Sequence, residues 1–182
     1  MVYLWLNLKK RTMKNLKITI LSAFLLCLTV GFSQSDNIVG VAAGNDNFTT
    51  LVTAVKSADL VGTLSSDGPF TVFAPVNSAF EALPNGTVES LLKPENKGTL
   101  QGILTYHVVA GKYMAKDVIK AIKDNNGSFD VKTVQGGTIT LSLSDGNVML
   151  KDAKGSMAKV VMADVAATNG VIHAIDAVVM PK

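Results

Sequence analysis

Cysteine, arginine and tryptophan are almost absent from this 182-residue chain. The single Cys27, Arg11 and Trp5 all lie within the first 27 residues. The remainder has no means of forming a disulfide, so its stability must come from a packed core. It also lacks the side chain that most often binds phosphates and base edges. These absences exclude a disulfide-stabilised scaffold and argue against nucleic-acid binding.

The first 33 residues have the pattern of a leader segment. Basic residues precede an uncharged apolar run at 18–30, and small residues follow it up to Ser33. This order predicts a secretory signal peptide over residues 1–33, cleaved after Ser33. Met13 is an alternative start. The apolar run is shorter than the about 20 residues that span a membrane, although an uncleaved anchor stays open. Cys27 follows the large Leu26, which disfavours lipidation.

Removal of the leader reverses the net charge. The whole chain has 17 basic and 14 acidic residues, whereas residues 34–182 keep 12 lysines and all 14 acids, a net charge of −2. The pI near 8.9 therefore belongs to the whole chain only. Because no basic patch remains, we expect no nucleic-acid partner, and contact with a membrane only through the leader.

Helical patterns dominate the first half of residues 34–182. Apolar residues recur with helical spacing between Phe48 and Val55, and Asp46 or Asn47 is placed to cap that helix. Further helical segments are predicted at 77–83, 87–92, 97–104 and 115–123.

Strand patterns dominate the second half. Extended segments are predicted at 106–109, 131–134, 138–144, 148–151, 159–163 and 171–180. Ile139, Leu141 and Leu143 alternate with polar residues, which indicates a sheet with one solvent-facing side. Helices followed by strands predict an α+β fold in one domain, residues 34–182.

Two segments in this domain resemble the signature blocks of the fasciclin domain. They are residues 71–80 (TVFAPVNSAF) and 167–176 (ATNGVIHAID), with 104–109 (LTYHVV) between them in the family's order. The resemblance covers nearly the whole of residues 34–182. It implies an α+β wedge of two β-sheets flanked by several short helices. It also implies a secreted or cell-surface module for adhesion or interaction, not an enzyme.

The first block has a structural explanation for most of its residues. Phe73 and Phe80 are expected to be apolar anchors. Pro75 ends a buried strand predicted at 70–74, where a ladder N–H is no longer needed. Asn77 is expected to cap the next helical turn. Thr71 belongs to the same family motif.

The second block also has a structural explanation. Asn169 and Gly170 predict a tight turn that tolerates positive φ, just before a buried strand. His173 is expected to be buried with a backbone or side-chain partner. In a strand, His173 and Asp176 point to opposite faces, so they do not form a catalytic dyad.

Three residues outside this structural framework are candidates for contact with a partner. The pair Tyr106 and His107 matches one that the family implicates in adhesion, although His107 is itself expected to be structural. Asp164 lies in residues 162–166 (MADVA), where animal relatives carry an acidic-Pro-Asp-apolar integrin motif. Only Asp164 and the apolar residue after it match, so the resemblance does not imply integrin binding.

We therefore expect a bacterial adhesion or interaction module that is secreted, periplasmic or on the outer cell surface. Its partner would be a surface protein, a polysaccharide matrix or a host surface, and the protein itself a monomer or weak oligomer. We expect no catalysis, because no nucleophile–base motif is present. We also expect no cofactor and no bound metal, since the two histidines and the absence of cysteine in residues 34–182 fall short of a zinc site. A cell-envelope carrier or sensor that holds a small molecule between the sheets stays open as an alternative.

Overall fold

The computed structural model describes residues 36–182. The leader, its cleavage after Ser33, the alternative start at Met13 and the interpretation of Cys27 lie outside the described residues and stay predictions. Residues 36–182 belong to one compact unit. None of the helices in this part of the chain has the length and hydrophobicity that a membrane crossing requires.

Helices are concentrated in the first half of this unit and strands in the second, which confirms the α+β class. The α-helices are α1 Ile38–Ala43, α2 Thr49–Ser57, α3 Val61–Leu64, α4 Asn77–Glu81, α5 Thr87–Leu91, α6 Lys97–Tyr106 and α7 Ala115–Asp124, with 3-10 turns at Asp46–Phe48 and Pro94–Asn96. The strands are β1 Phe70–Pro75, β2 Val108–Ala110, β3 Ser128–Lys132, β4 Thr138–Ser144, β5 Asn147–Lys151, β6 Met157–Ala167 and β7 Gly170–Ile175.

The strands form a nearly closed wedge in the order β2-β1-β7-β6-β5-β4-β3. Strand β6 belongs to both sheets of the wedge, because it pairs with β7 on one side and, near its start, with β5 on the other. A single bridge between Val109 and Thr133 links the two ends of this order. The predicted wedge of two sheets flanked by short helices is thus confirmed.

The two signature blocks meet at the centre of the wedge. Strand β1 from the first block pairs in parallel with β7 from the second, and Phe73 lies opposite His173. The two rings stack with centroids 5.8 Å apart. Parallel neighbours need a long crossover connection, and here helices and the other strands supply it.

The core has two main parts, one on each face of β1 and β7. Val72 and Ala74 face the helices and pack with Phe48 and with apolar residues of α1, α2 and α6, among them Leu51. The neighbouring Phe73 points into the wedge, where Ile139, Leu141 and Leu150 fill the space between the sheets. The alternation of side chains along a strand therefore divides one short segment between both cores.

Some predicted boundaries differ from the structure. Tyr106 is the last residue of α6 and not part of a strand, β7 ends at Ile175 and not at Met180, and β6 is longer than 159–163. Helix α1 was not predicted at all. A short apolar run such as residues 103–109 fits a helix or a strand equally well. Its tertiary contacts therefore decide where the helix ends and the strand begins.

Candidate functional site

Asn77 caps a helix other than its own. Its Oδ1 accepts from the N–H of Thr50 (3.1 Å) and from the Thr49 hydroxyl (3.2 Å), both in the first turn of α2. Its Nδ2 donates to the carbonyl of Asp46 at 2.7 Å. The expected cap of the following turn is wrong, because Asn77 is already the first residue of α4 and makes no cap bond there.

Asn169 ties three segments together. Its Oδ1 accepts from the N–H of Ile38 at 2.9 Å, at the start of α1. Its Nδ2 donates to the carbonyls of Leu64 and Ser66, after the end of α3. Its own carbonyl accepts from the N–H of Phe70 at 3.0 Å. One amide thereby satisfies groups at two helix ends that would otherwise lack partners.

Gly170 is explained by close packing, not by its backbone conformation. The predicted positive φ is found at neither Asn169 nor Gly170. A Cβ at Gly170 would lie 2.1 Å from the carbonyl oxygen of Phe70 and 2.8 Å from Cδ1 of Ile38. The missing side chain lets β1 begin directly against β7.

The other residues of the first block lie in the core or at its edge. The Thr71 hydroxyl is fully buried, donates to the carbonyl of Gly111 (2.7 Å) and accepts from the N–H of Tyr113 (2.9 Å). Pro75 is the buried last residue of β1. Phe80 is half-buried on α4 and packs against the helical side of the core.

Tyr106 lies inside the wedge with no exposed surface. Its hydroxyl donates to the carbonyl of Thr138 at 2.6 Å and accepts from the N–H of Ala153 at 3.1 Å. Burial raises the pKa of this phenol; the Ala153 bond lowers it and the charge of Asp152 raises it further. Tyr106 therefore fastens the start of β4 and the loop after β5 to the end of α6.

His107 is also buried, at 2% exposure. Its Nδ1 donates to the carbonyl of Ile103 (2.8 Å), and its Nε2 accepts from the N–H of Val179 (3.2 Å). Burial lowers the pKa of His107 to about 4, against smaller opposing effects of the Ile103 bond and the Asp152 charge. The neutral imidazole thus holds the C-terminal segment against α6.

The burial of this pair corrects the expectation of a contact patch. Neither Tyr106 nor His107 offers side-chain surface for a partner to touch. A shallow depression of about 610 Å³ lies above the Tyr106 ring, and Gly137, Lys151 and Lys182 are among the residues that line it. Any contribution of the pair to binding would act through the position of these neighbours and stays a prediction.

Asp164 is exposed but already engaged within the domain. Its backbone has a positive φ of 60°, and its Oδ1 accepts from the N–H of Ala115 at 2.8 Å, at the start of α7. Its N–H donates to Nδ1 of His173 (3.2 Å), while Nε2 of the buried His173 donates to the carbonyl of Tyr113 (2.8 Å). Asp164 and His173 together fix the loop before α7 onto the sheet.

Asp176 follows β7 and makes a backbone clamp with β6. Its Oδ1 accepts from the N–H of Lys159 at 2.7 Å, and its own N–H donates to the Lys159 carbonyl at 3.1 Å. His173 makes its bonds elsewhere, so the two residues do not act as a dyad. Within residues 36–182, no cluster of three or more His, Asp or Glu side chains is arranged to hold a metal ion.

Strand β6 carries a feature that sequence reasoning missed. Its pairing with β7 shifts register between Val160 and Met162 and again between Met162 and Val165, with one extra β6 residue at each shift. Such bulges turn side chains away from their regular direction. Val161 is 52% exposed and Met162 is 43% exposed.

Val161 and Met162 border a groove that we call the β6 groove. It has a volume of about 490 Å³ and is also lined by Phe48, Val76, Asn77 and Glu81. Phe48 has no exposed surface and closes the bottom of the groove, and the Asn77 side chain is held in place by its bonds to α2. The groove combines an apolar floor with a fixed polar edge.

The family model of the fasciclin domain matches residues 46–181 of the chain. The chain belongs to the fasciclin domain family. Fasciclin domains are generally extracellular or secreted and have a non-catalytic, adhesion-type fold.

Two bacterial proteins and one solved structure resemble the chain over most of its length. Protein sll1483 of a Synechocystis strain is 56% identical over 144 residues, which cover 79% of this chain and 73% of that protein. Immunogenic protein MPB70 of Mycobacterium bovis is 36% identical, over 83% of this chain and 72% of its own. A solved fasciclin domain pair from the insect cell adhesion molecule Fasciclin I matches with a TM-score of 0.69 at 20% identity, over 78% of this chain and 50% of that chain, and supports the fold alone.

Proposed function

We propose that this fasciclin domain is a secreted or cell-envelope interaction module that binds its partner through its surface, without catalysis. The observation that carries the proposal is the location of exposed apolar side chains. Of the four large hydrophobic residues that are exposed in the described range, Met157, Val161 and Met162 lie on β6. Val161 and Met162 are adjacent and border the same groove, and exposed apolar side chains grouped in this way are typical of interaction sites.

The interior of the wedge favours this proposal over the carrier or sensor alternative. The space between the sheets is filled by buried side chains such as Tyr106, Ile139 and Leu150. An apolar cavity under the helices, lined in part by Leu51, Val72 and Leu104, measures about 30 Å³. A small-molecule pocket usually has about 300–1,000 Å³. This cavity is at least an order of magnitude smaller.

The test is an attachment assay with purified protein coupled to beads. The beads are offered intact cells, isolated cell envelopes and matrix polysaccharide, and retention is counted after washing. A matched control carries an unrelated protein of similar size and net charge. We expect the fasciclin beads to be retained on at least one of these surfaces. Equal retention of both kinds of bead on every surface would overturn the proposal.

A further inference from the structure

We propose that the β6 groove binds a peptide segment of a partner protein that presents an apolar side chain next to a lysine or arginine. This inference rests on the proposed function and specifies the surface and the chemistry of the partner. The groove would take one apolar side chain against Val161 and Met162, above the buried Phe48, and one cationic group at Glu81.

The shape of the groove supports the apolar part of the proposal. Phe48 is fully buried beneath the groove, while Val161 and Met162 stand at its edge with about half of their surfaces exposed. An apolar side chain placed here would cover both edge residues and complete their packing.

The distribution of charge supports the cationic part. Residues 36–92 carry six acidic side chains and one lysine, a net charge of −5, whereas residues 93–182 carry eight acidic side chains and eleven lysines, a net charge of +3. Phe48, Val76, Asn77 and Glu81 all come from the acidic segment. Among the described residues that line the groove, Glu81 is the only charged one. Complementary charge mainly sets specificity and the rate of association.

The backbone of β6 argues against the addition of a partner strand at this place. Two bulges and the positive φ of Asp164 interrupt the regular strand beside Val161 and Met162. Bulges of this kind protect a sheet edge from pairing with another chain. The partner therefore binds through side chains seated in the groove.

The experiment titrates the purified, isotope-labelled protein with three short synthetic peptides and follows backbone amide shifts by NMR. One peptide alternates Leu and Lys, the second Leu and Glu, and the third Ser and Lys. We expect only the Leu–Lys peptide to give saturable shifts, at the amides of Val161, Met162 and Asn77.

Variants then separate the two parts of the proposal. Met162→Ser is expected to lower the affinity for the Leu–Lys peptide about tenfold, equivalent to about 1.4 kcal/mol of binding free energy. Glu81→Gln is expected to lower the affinity for this peptide about two- to fivefold and to remove the dependence of that affinity on salt concentration. Met157→Ser is the matched control, because Met157 is 47% exposed on the same strand but does not line the groove. It is expected to leave binding unchanged.

Several results would overturn the proposal. They are the absence of saturable shifts, equal binding of the Leu–Glu or Ser–Lys peptide, an equal effect of Met157→Ser, and a dimer in sedimentation experiments that Met162→Ser abolishes. The last result would assign the groove to a second copy of this chain.

If Met162→Ser beads attach as well as wild-type beads, the groove assignment fails while the proposed function stands. If wild-type beads do not attach, the proposed function fails and the peptide titration still decides the groove.

Discussion

The Oδ1 atom of Asn77 accepts a hydrogen bond from the N–H of Thr50, 27 residues earlier in the chain, at 3.1 Å. The signature block around Asn77 thus supplies the N-terminal cap of a helix that precedes it. The same side chain bonds the carbonyl of Asp46. The position requires both an acceptor and a donor, which an Asn amide provides and an Asp carboxylate does not.

We expect Asn77→Ala to lower the free energy of unfolding by about 1–2 kcal/mol, because α2 loses its cap and Asp46 loses a donor. Urea denaturation followed by circular dichroism measures the change. Asn85→Ala is the control, since Asn85 is exposed and makes no side-chain hydrogen bond within the described residues; its effect should stay below about 0.5 kcal/mol. Equal losses in the two variants would contradict the assigned cap.

Gly170→Ala should be severely destabilising. The new Cβ would lie 2.1 Å from the Phe70 carbonyl oxygen, which belongs to a paired strand and cannot move away alone. We expect a loss of about 3 kcal/mol or more, the upper range for overpacking. Gly102→Ala is the matched control, because a Cβ there meets nothing within 4 Å and lies in α6. It should raise stability by about 0.5–1 kcal/mol, the ordinary preference of a helix for Ala over Gly. Thermal unfolding of both variants decides the prediction.

Tyr106→Phe should lower the stability of the domain and leave its attachment to surfaces unaltered. Removal of the hydroxyl leaves the carbonyl of Thr138 and the N–H of Ala153 without their partner, at a cost of about 1–3 kcal/mol. Tyr113→Phe is the control, since the Tyr113 hydroxyl has no hydrogen bond within residues 36–182. Bead attachment should stay at the wild-type level for folded Tyr106→Phe. A loss of attachment without a loss of stability would restore Tyr106 as a direct contact.

His107 should make stability depend on pH. Its pKa is about 4 in the folded protein because it is buried, against about 6.5 in an unfolded chain. The unfolded state therefore binds more protons between these values, so stability is full above about pH 6.5 and falls as the pH decreases towards 4. From pH 7 to pH 5 this group should remove about 2 kcal/mol.

The measurement is a series of urea unfolding curves between pH 7 and pH 5. His107→Gln is expected to be less stable at pH 7, because it loses packing and one of the two backbone bonds. Its stability should also vary less with pH over this range, since Gln does not titrate. An unchanged pH dependence in this variant would show that another group carries the effect.

The fold class was predictable because it depends on local patterns. The alternation of Ile139, Leu141 and Leu143 with polar residues defines β4 from 138 to 144, as the structure has it. The helical spacing after Phe48 likewise identifies α2. The family blocks then fix the order of the elements, so that the wedge follows without knowledge of any single contact.

The sequence by itself determined the class, the order of most elements and the apolar faces that form the core, because residues within one or two turns of each other specify these features. Tertiary structure alone decided that Asn77 caps α2, that Gly170 makes room for β1, that Tyr106 is buried and that Met162 borders a groove. Each of these features joins segments that are distant in the chain. No local sequence pattern predicts such a contact, because the stabilising energy arises only when the two segments come together.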